Sequence, residues 1–355
     1  MSESFIAVHV VPTGIGASIG GFVGDAVPAT NLLASVAEHL IVHPNVVNGV
    51  ALNLMRPNCY YVEGFFLDNF FLEKIALRPV LSNKIGVVLD SGCKDKEALD
   101  LAMNTIDAIR TNEGVRIVEI MLSEKPVGGK SIRTSSGAFL GTVQSPEAFI
   151  KPALMLKEKG AEAIALGTYI TAEGKYLKLY FKGKCPNPYG GLEALISHTA
   201  SLKTSLPCAH APLVSSKEIK EFMFSGIVDP RAAAEAIGPA YLGCVLQGLR
   251  KAPQAVGLSN SYSTDLKLED VKALVCPADA MGGIPMLACE KKGIPIIGVK
   301  ENKTVLQVSA KTLGLKNAII VNNYWEAAGV LACLKEGIDI SSVRRPYLKL
   351  HWHKK

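Results

Sequence analysis

The sequence predicts an α/β protein: mainly parallel sheets flanked by helices, in Rossmann-like lobes with a central cleft. Three observations carry this expectation. Short β-rich runs alternate with helical patterns along the chain, the mark of βαβ units and a parallel sheet. Two runs, residues 161–166 and 294–299, are almost continuously apolar, as strands covered on both faces are. With 355 residues, 48% of them apolar, the chain suffices for two domains and is too apolar for disorder.

Taken in order, residues 5–11 read as a strand running into the glycine-rich turn Pro12-Thr13-Gly14-Ile15-Gly16-Ala17-Ser18-Ile19-Gly20-Gly21, with Gly24 and Asp25 behind it. An amphipathic helix is expected from about residue 29 to 43, then strands at 46–54 and 60–62. The apolar run 84–89 is a strand ending at Asp90-Ser91-Gly92-Cys93, and residues 95–110 have helical spacing. A strand at 115–121 precedes a long, polar, glycine-rich loop over 124–141, read both as a functional loop and as the domain boundary. Next come a helix at 146–159, a strand at 161–166 ending in Gly167-Thr168, and a strand at 177–181. Helices at 190–201 and 230–236 and a strand at 244–246 follow. Strand 273–276 enters a second glycine turn at Gly282-Gly283, and strand 294–299 ends at Glu301-Asn302. Strand 318–321 and helix 325–336 close the pattern. The expected units are an N-terminal lobe 1–141, a C-terminal lobe 142–343 and a basic tail 344–355.

Function is read from what sits at the strand ends, because ligands of open parallel sheets bind beyond the carboxyl ends of strands. A strand that passes through glycines into a helix brings backbone N–H groups against phosphate or carboxylate. The first turn therefore nominates Gly14, Gly16, Gly20 and Gly21 as contacts for a small anionic metabolite, with Gly282 and Gly283 facing them. The spacing is neither a dinucleotide fingerprint, since Ile19 takes the third glycine's place, nor a phosphate-binding loop with Gly-Lys-Ser/Thr. Arg133, Ser135 and Ser136 offer a guanidinium and hydroxyls to the same anion, and Glu301 and Asn302 would orient it. Each of these positions taken singly also fits turn or capping chemistry.

The densest titratable cluster is His198, Cys208, His210 and Glu235. Cys208 and His210 are two apart, so an extended backbone sends both side chains from one face. Such a pair suits nucleophilic or acid–base work. It also suits a metal with His198 as third donor, or a packed cysteine beside a hydrogen-bonded histidine. No motif assigns a cofactor. Glu63 and Asp68 are acids set among aromatic residues, where burial would raise a carboxyl.

Composition removes other classes. Of the net charge of +6, the tail residues Arg344, Arg345, Lys349, Lys354 and Lys355 hold five, leaving about +1 for the body and no nucleic-acid face. Eight cysteines without a C-x-x-C pair fit free thiols in a reducing compartment. No apolar run is long enough for a membrane span, and Met1-Ser-Glu-Ser lacks signal-peptide character, so the cytoplasm is expected.

Several long strings resemble an uncharacterised family of bacteria and photosynthetic eukaryotes, catalogued as a domain of unknown function. They include Val11-Pro-Thr-Gly-Ile-Gly-Ala-Ser-Ile-Gly-Gly21, Tyr61-Val-Glu-Gly64, Glu193-Ala-Leu-Ile-Ser-His198, Pro207-Cys-Ala-His-Ala-Pro212 and Pro230-Arg-Ala-Ala-Ala-Glu235. The resemblance spans nearly the whole chain and implies no reaction, cofactor or catalytic residue. It departs at Cys93 and around Asn187, which lowers the weight of both. His198, Cys208, His210 and Glu235 lie inside matching strings. The leading expectation is a small-molecule enzyme, an isomerase, racemase or hydrolase working through Cys208 and His210. A metal-dependent hydrolase or lyase and a non-catalytic metabolite-binding or assembly protein are the alternatives, and a homo-oligomer is left open.

Overall fold

Fifteen strands and twelve α-helices form among the residues described by the computed structural model, which are 4–43, 55–223, 226–237, 241–347 and 349. The strand expected at 46–54 and most of the tail lie outside these residues. In chain order the strands are β1 (Ile6–His9), β2 (His39–Val42), β3 (Cys59–Tyr61), β4 (Ile75–Arg78) and β5 (Ile85–Leu89). Then come β6 (Ile117–Leu122), β7 (Gly129–Arg133), β8 (Phe139–Val143), β9 (Ala163–Thr168) and β10 (Ile170–Thr171). The last five are β11 (Cys208–Pro212), β12 (Gln254–Gly257), β13 (Val271–Pro277), β14 (Ile296–Val299) and β15 (Ala318–Val321).

Two parallel sheets organise the molecule. One runs β15-β14-β13-β1-β2-β3 and the other β11-β9-β5-β6. Their central strands are buried on both faces, so each sheet divides the apolar residues into two layers. In β1, Ile6 and Val8 enter one core while Ala7 enters the other. In β5, Val88 faces one side and Val87 and Leu89 the opposite one. Period-two alternation inside an all-apolar run is what a doubly covered strand requires.

The two halves of the chain are not the two lobes. Strands β1–β3 and β13–β15 share a sheet, so the first lobe is built from both ends of the chain and the second from the middle. Residue 141, the expected boundary, falls within β8. The loop expected over 124–141 contains the antiparallel hairpin β7–β8, with Thr134 N–H bonded to the Ala138 carbonyl across its tip. Between the lobes lies an antiparallel ribbon of β4 and β12. At its middle-lobe end the buried Asn83 side chain donates to the carbonyls of Leu249 and Ala252, both at 2.8 Å, and accepts from Gln254.

Three local expectations change. The helix begun at Val27 stops at Ala34, and His39-Leu-Ile-Val42 forms β2 instead of continuing it. Residues 177–181 belong to the helix Gly174–Phe181, with Leu177, Tyr180 and Phe181 buried at helical spacing. Residues 244–246 belong to the helix Tyr241–Arg250. The expected helix beginning near residue 95 forms as Lys96–Glu113, capped by the Asp95 carboxylate on Ala98 N–H and ended by left-handed Gly114.

Candidate active site

The glycine turn carries its own anion. Asp25 Oδ1 accepts from Gly20 N–H at 2.8 Å, and Asn302 Oδ1 accepts from Ile19 N–H at 2.9 Å. The turn's open sides are closed by protein. A Cβ on Gly14 would stand 2.7 Å from the Phe139 carbonyl oxygen, one on Gly16 2.8 Å from Pro186, and one on Gly21 2.2 Å from the Ala17 carbonyl oxygen. These glycines serve backbone packing, and Phe139 N–H donates to the Gly14 carbonyl at 3.0 Å. Asn302 is fully buried and also bonds Tyr324.

The other nominated contacts are held locally too. Arg133 stands over the Tyr176 ring, and Ser136 pairs with Thr134 at the hairpin tip. Gly283 precedes the helix Ile284–Lys292 with φ 103. Glu301 is exposed. None of these residues, nor Ser135 or Gly282, lines the large cavity described next.

That cavity, of about 190 Å³, lies between the lobes. The first lobe supplies His43 just after β2, Tyr61 at the end of β3, and Glu63 and Gly64 beyond it. The middle lobe supplies His210 from β11 and a stripe of the helix Gly190–Thr204, namely Gly190, Glu193, Ala194, Ser197 and His198. Tyr180, Glu235, Tyr241 and Cys244 complete much of the wall. The helical stripe follows i, i+3, i+4, i+7, i+8 spacing, so one face of one helix delivers an acid, a hydroxyl and an imidazole together.

Glu63 joins the lobes. Its Oε2 caps the helix Gly64–Phe71 by accepting from Phe65 N–H at 2.7 Å. Its Oε1 lies 3.4 Å from the Ser197 hydroxyl and 3.9 Å from His198 Nδ1. Gly64 lies between the two rings, where a Cβ would be in ordinary contact with His43 Nε2 at 3.6 Å and His198 Nδ1 at 3.7 Å. Glu235 Oε1 accepts from Val23 N–H and the Tyr180 hydroxyl, each at 2.7 Å. Nothing among the described residues donates a hydrogen bond to the Glu193 side chain, which is half-buried.

Burial without a cation shifts every acid the same way. It pushes the Glu63 carboxyl up to about 8, against the pull of its backbone hydrogen bonds. Glu193 is raised to about 8 by burial and then by the Glu235 charge. Burial raises Glu235 to about 7, opposed by its Tyr180 and Val23 bonds. The same dryness lowers His43 to about 4 and His210 to about 3. Among the described residues no lysine or arginine lines the cavity. Basic side chains gather instead in a neighbouring cleft of about 90 Å³, where Arg56, Arg250 and Lys251 lie and Tyr61 is a shared wall.

Of the sequence-predicted cluster, His198, His210 and Glu235 meet here and Cys208 does not. Cys208 is wholly buried, with Sγ 3.4 Å from Thr204 Oγ1 and from the Leu206 carbonyl oxygen, and burial pushes its thiol up to about 12. His210 Nε2 lies 2.7 Å from Thr168 Oγ1, while Nδ1 has no partner among the described residues. No Cys–His couple forms. Among the described residues no three His, Cys, Asp or Glu side chains are placed to hold a metal ion. Glu193 and His43 were not among the expected site residues, and the signal for Glu193 was the polar stripe at helical spacing.

The buried acids fix a pH dependence. A carboxyl with a folded value above its unfolded one contributes stability that is complete below the unfolded value and lost as pH rises through the folded value. For Glu193 that window runs from 4.5 to about 8. His43 and His210, lowered from 6.5, act in the opposite sense and are lost as pH falls. Glu193→Gln removes one acid titration only. Its Tm relative to the wild type is expected to rise steadily between pH 5 and pH 8. A gap independent of pH would show that Glu193 ionises freely in the folded protein.

Comparison with known proteins returns the family described as "Protein of unknown function (DUF3326)", which matches residues 6–344. An uncharacterized lipoprotein of Synechococcus sp. is 34% identical over 341 residues, covering 96% of this chain and 93% of the relative. No described helix is long and apolar enough to cross a membrane.

Proposed function

Since the chain belongs to the DUF3326 family, whose description assigns no activity, we propose from its own cavity that it is an enzyme catalysing proton transfer on a small molecule bound between the lobes. One observation carries the reading. Three carboxyl groups held near or above neutrality, Glu63, Glu193 and Glu235, share one small cavity with His43, His198 and His210.

An acid–base catalyst works best when its value lies near the working pH. Glu235, at about 7, is the group so placed, and Tyr180 and Val23 fix its orientation. Glu63, with His198 beside it, supplies a second acid–base group from the other lobe. A pair of proton carriers on separate elements is what an isomerase or racemase needs, one to remove a proton and one to return it. Neutral His43 and His210 add hydrogen-bonding capacity without a positive charge.

Solvent exchange tests this without a known substrate. Pure protein incubated with a small-metabolite extract in D₂O is expected to place carbon-bound deuterium in at least one compound, read by mass spectrometry. An extract unchanged in both isotope content and composition would overturn the reading.

A further inference from the structure

The chemistry of the cavity also selects its ligand. Its walls present the carboxyl groups of Glu63, Glu193 and Glu235, and among the described residues no lysine or arginine lines it. A separate observation points the same way. His210 is 8% exposed, lines the cavity, and has Nδ1 without a partner among the described residues. An ammonium group is all donor and no acceptor, so it matches carboxyl oxygens, and a neutral His210 with its proton on Nε2 toward Thr168 offers Nδ1 as a further acceptor. Among the described residues an anion would meet three acids and no lysine or arginine. Tyr61, Tyr180 and Tyr241 are also on its wall, and aromatic rings attract an organic cation that has shed its water. A cavity of about 190 Å³ is of a size for a small molecule.

We infer that the substrate of this cavity is a small primary-ammonium compound, its cation held by Glu193 with Glu235 and its carbon chain against the tyrosines. This rests on reading the cavity as the active site. It replaces the expected anion, for which the cavity offers no charged donor. Glu193 is the anchor because its carboxyl owes nothing to the protein's own donors, whereas Glu63 and Glu235 are partly engaged.

Three four-carbon probes that differ in charge test the inference: 1,4-diaminobutane, 1,4-butanediol and succinate, each at millimolar concentration. The diamine is expected to raise Tm by several degrees and to bind in calorimetry, while the diol and succinate do neither. Glu193→Gln is expected to weaken diamine binding about tenfold or more. If that variant does not fold, Glu235→Gln takes its place. Stabilisation by succinate or the diol, a diamine effect untouched by the substitution, or no diamine binding would each overturn the assignment. Deuterium found in a compound without an amine would remove this inference and leave the proton-transfer reading standing.

Discussion

Glu235→Gln is expected to cut the deuterium exchange described above by about 10²–10⁴-fold, the usual share of general acid–base catalysis, while leaving the fold intact. The two effects separate because the wild-type side chain does two jobs through different properties. Its Oε1 accepts from Val23 N–H and Tyr180, and a glutamine oxygen accepts both bonds equally well. Only the exchangeable carboxyl proton is lost. Glu235→Ala is different, since it also strips a buried backbone N–H of its partner, at roughly 1–3 kcal/mol. Tyr180 suffers less, because the Gly21 carbonyl lies 3.2 Å from its hydroxyl. Exchange at the wild-type rate in a folded Gln variant would take Glu235 out of the chemistry.

Gly191→Ala is expected to be the most damaging of single methyl additions. A Cβ there would lie 1.9 Å from the Phe139 carbonyl oxygen and 2.9 Å from Leu140 Cα. Both are backbone atoms of β8, so no side-chain rotation relieves the clash. The helix Gly190–Thr204 must move off the hairpin, and with it Glu193, Ser197 and His198 leave their places on the cavity wall. A loss of roughly 3 kcal/mol, at the upper end of overpacking costs, is expected in denaturant titration. Gly174→Ala, where nothing lies within 4 Å, is the matched control. Equal midpoints for the two variants would show that the helix is not seated this closely.

Much of the architecture was legible because it rests on local signals. The apolar runs behind β5, β9 and β14 and the helical spacing that begins near residue 95 report short-range physics, and they land where they were expected. Residues 177–181 misled because Leu177, Leu179 and Phe181 alternate as in a strand, while Leu177, Tyr180 and Phe181 share a helical face and are the ones buried. Sheet order was not legible, since nothing local to β13 says that its neighbour is β1. The site was half legible. His198, His210 and Glu235 were found as a titratable cluster, but Cys208 leads into the core. The glycine turn looked like an anion loop because it is one; its carboxylate, Asp25, is four residues from its last glycine pair.

The β4–β12 ribbon gives the middle lobe the character of a cassette. The chain leaves the outer lobe along one strand of the ribbon and returns along the other, and Asn83 clasps the two crossings at a single point. A segment whose two ends coincide in space meets the geometric condition for insertion into, or removal from, a host fold. The outer lobe keeps its own six-stranded sheet whatever occupies the cassette position. The titratable groups of the cavity are thus divided between host and insert, with Glu63 and His43 on one and Glu193, His198, His210 and Glu235 on the other. Any relative movement of the two about that clasp opens or closes the space those groups share.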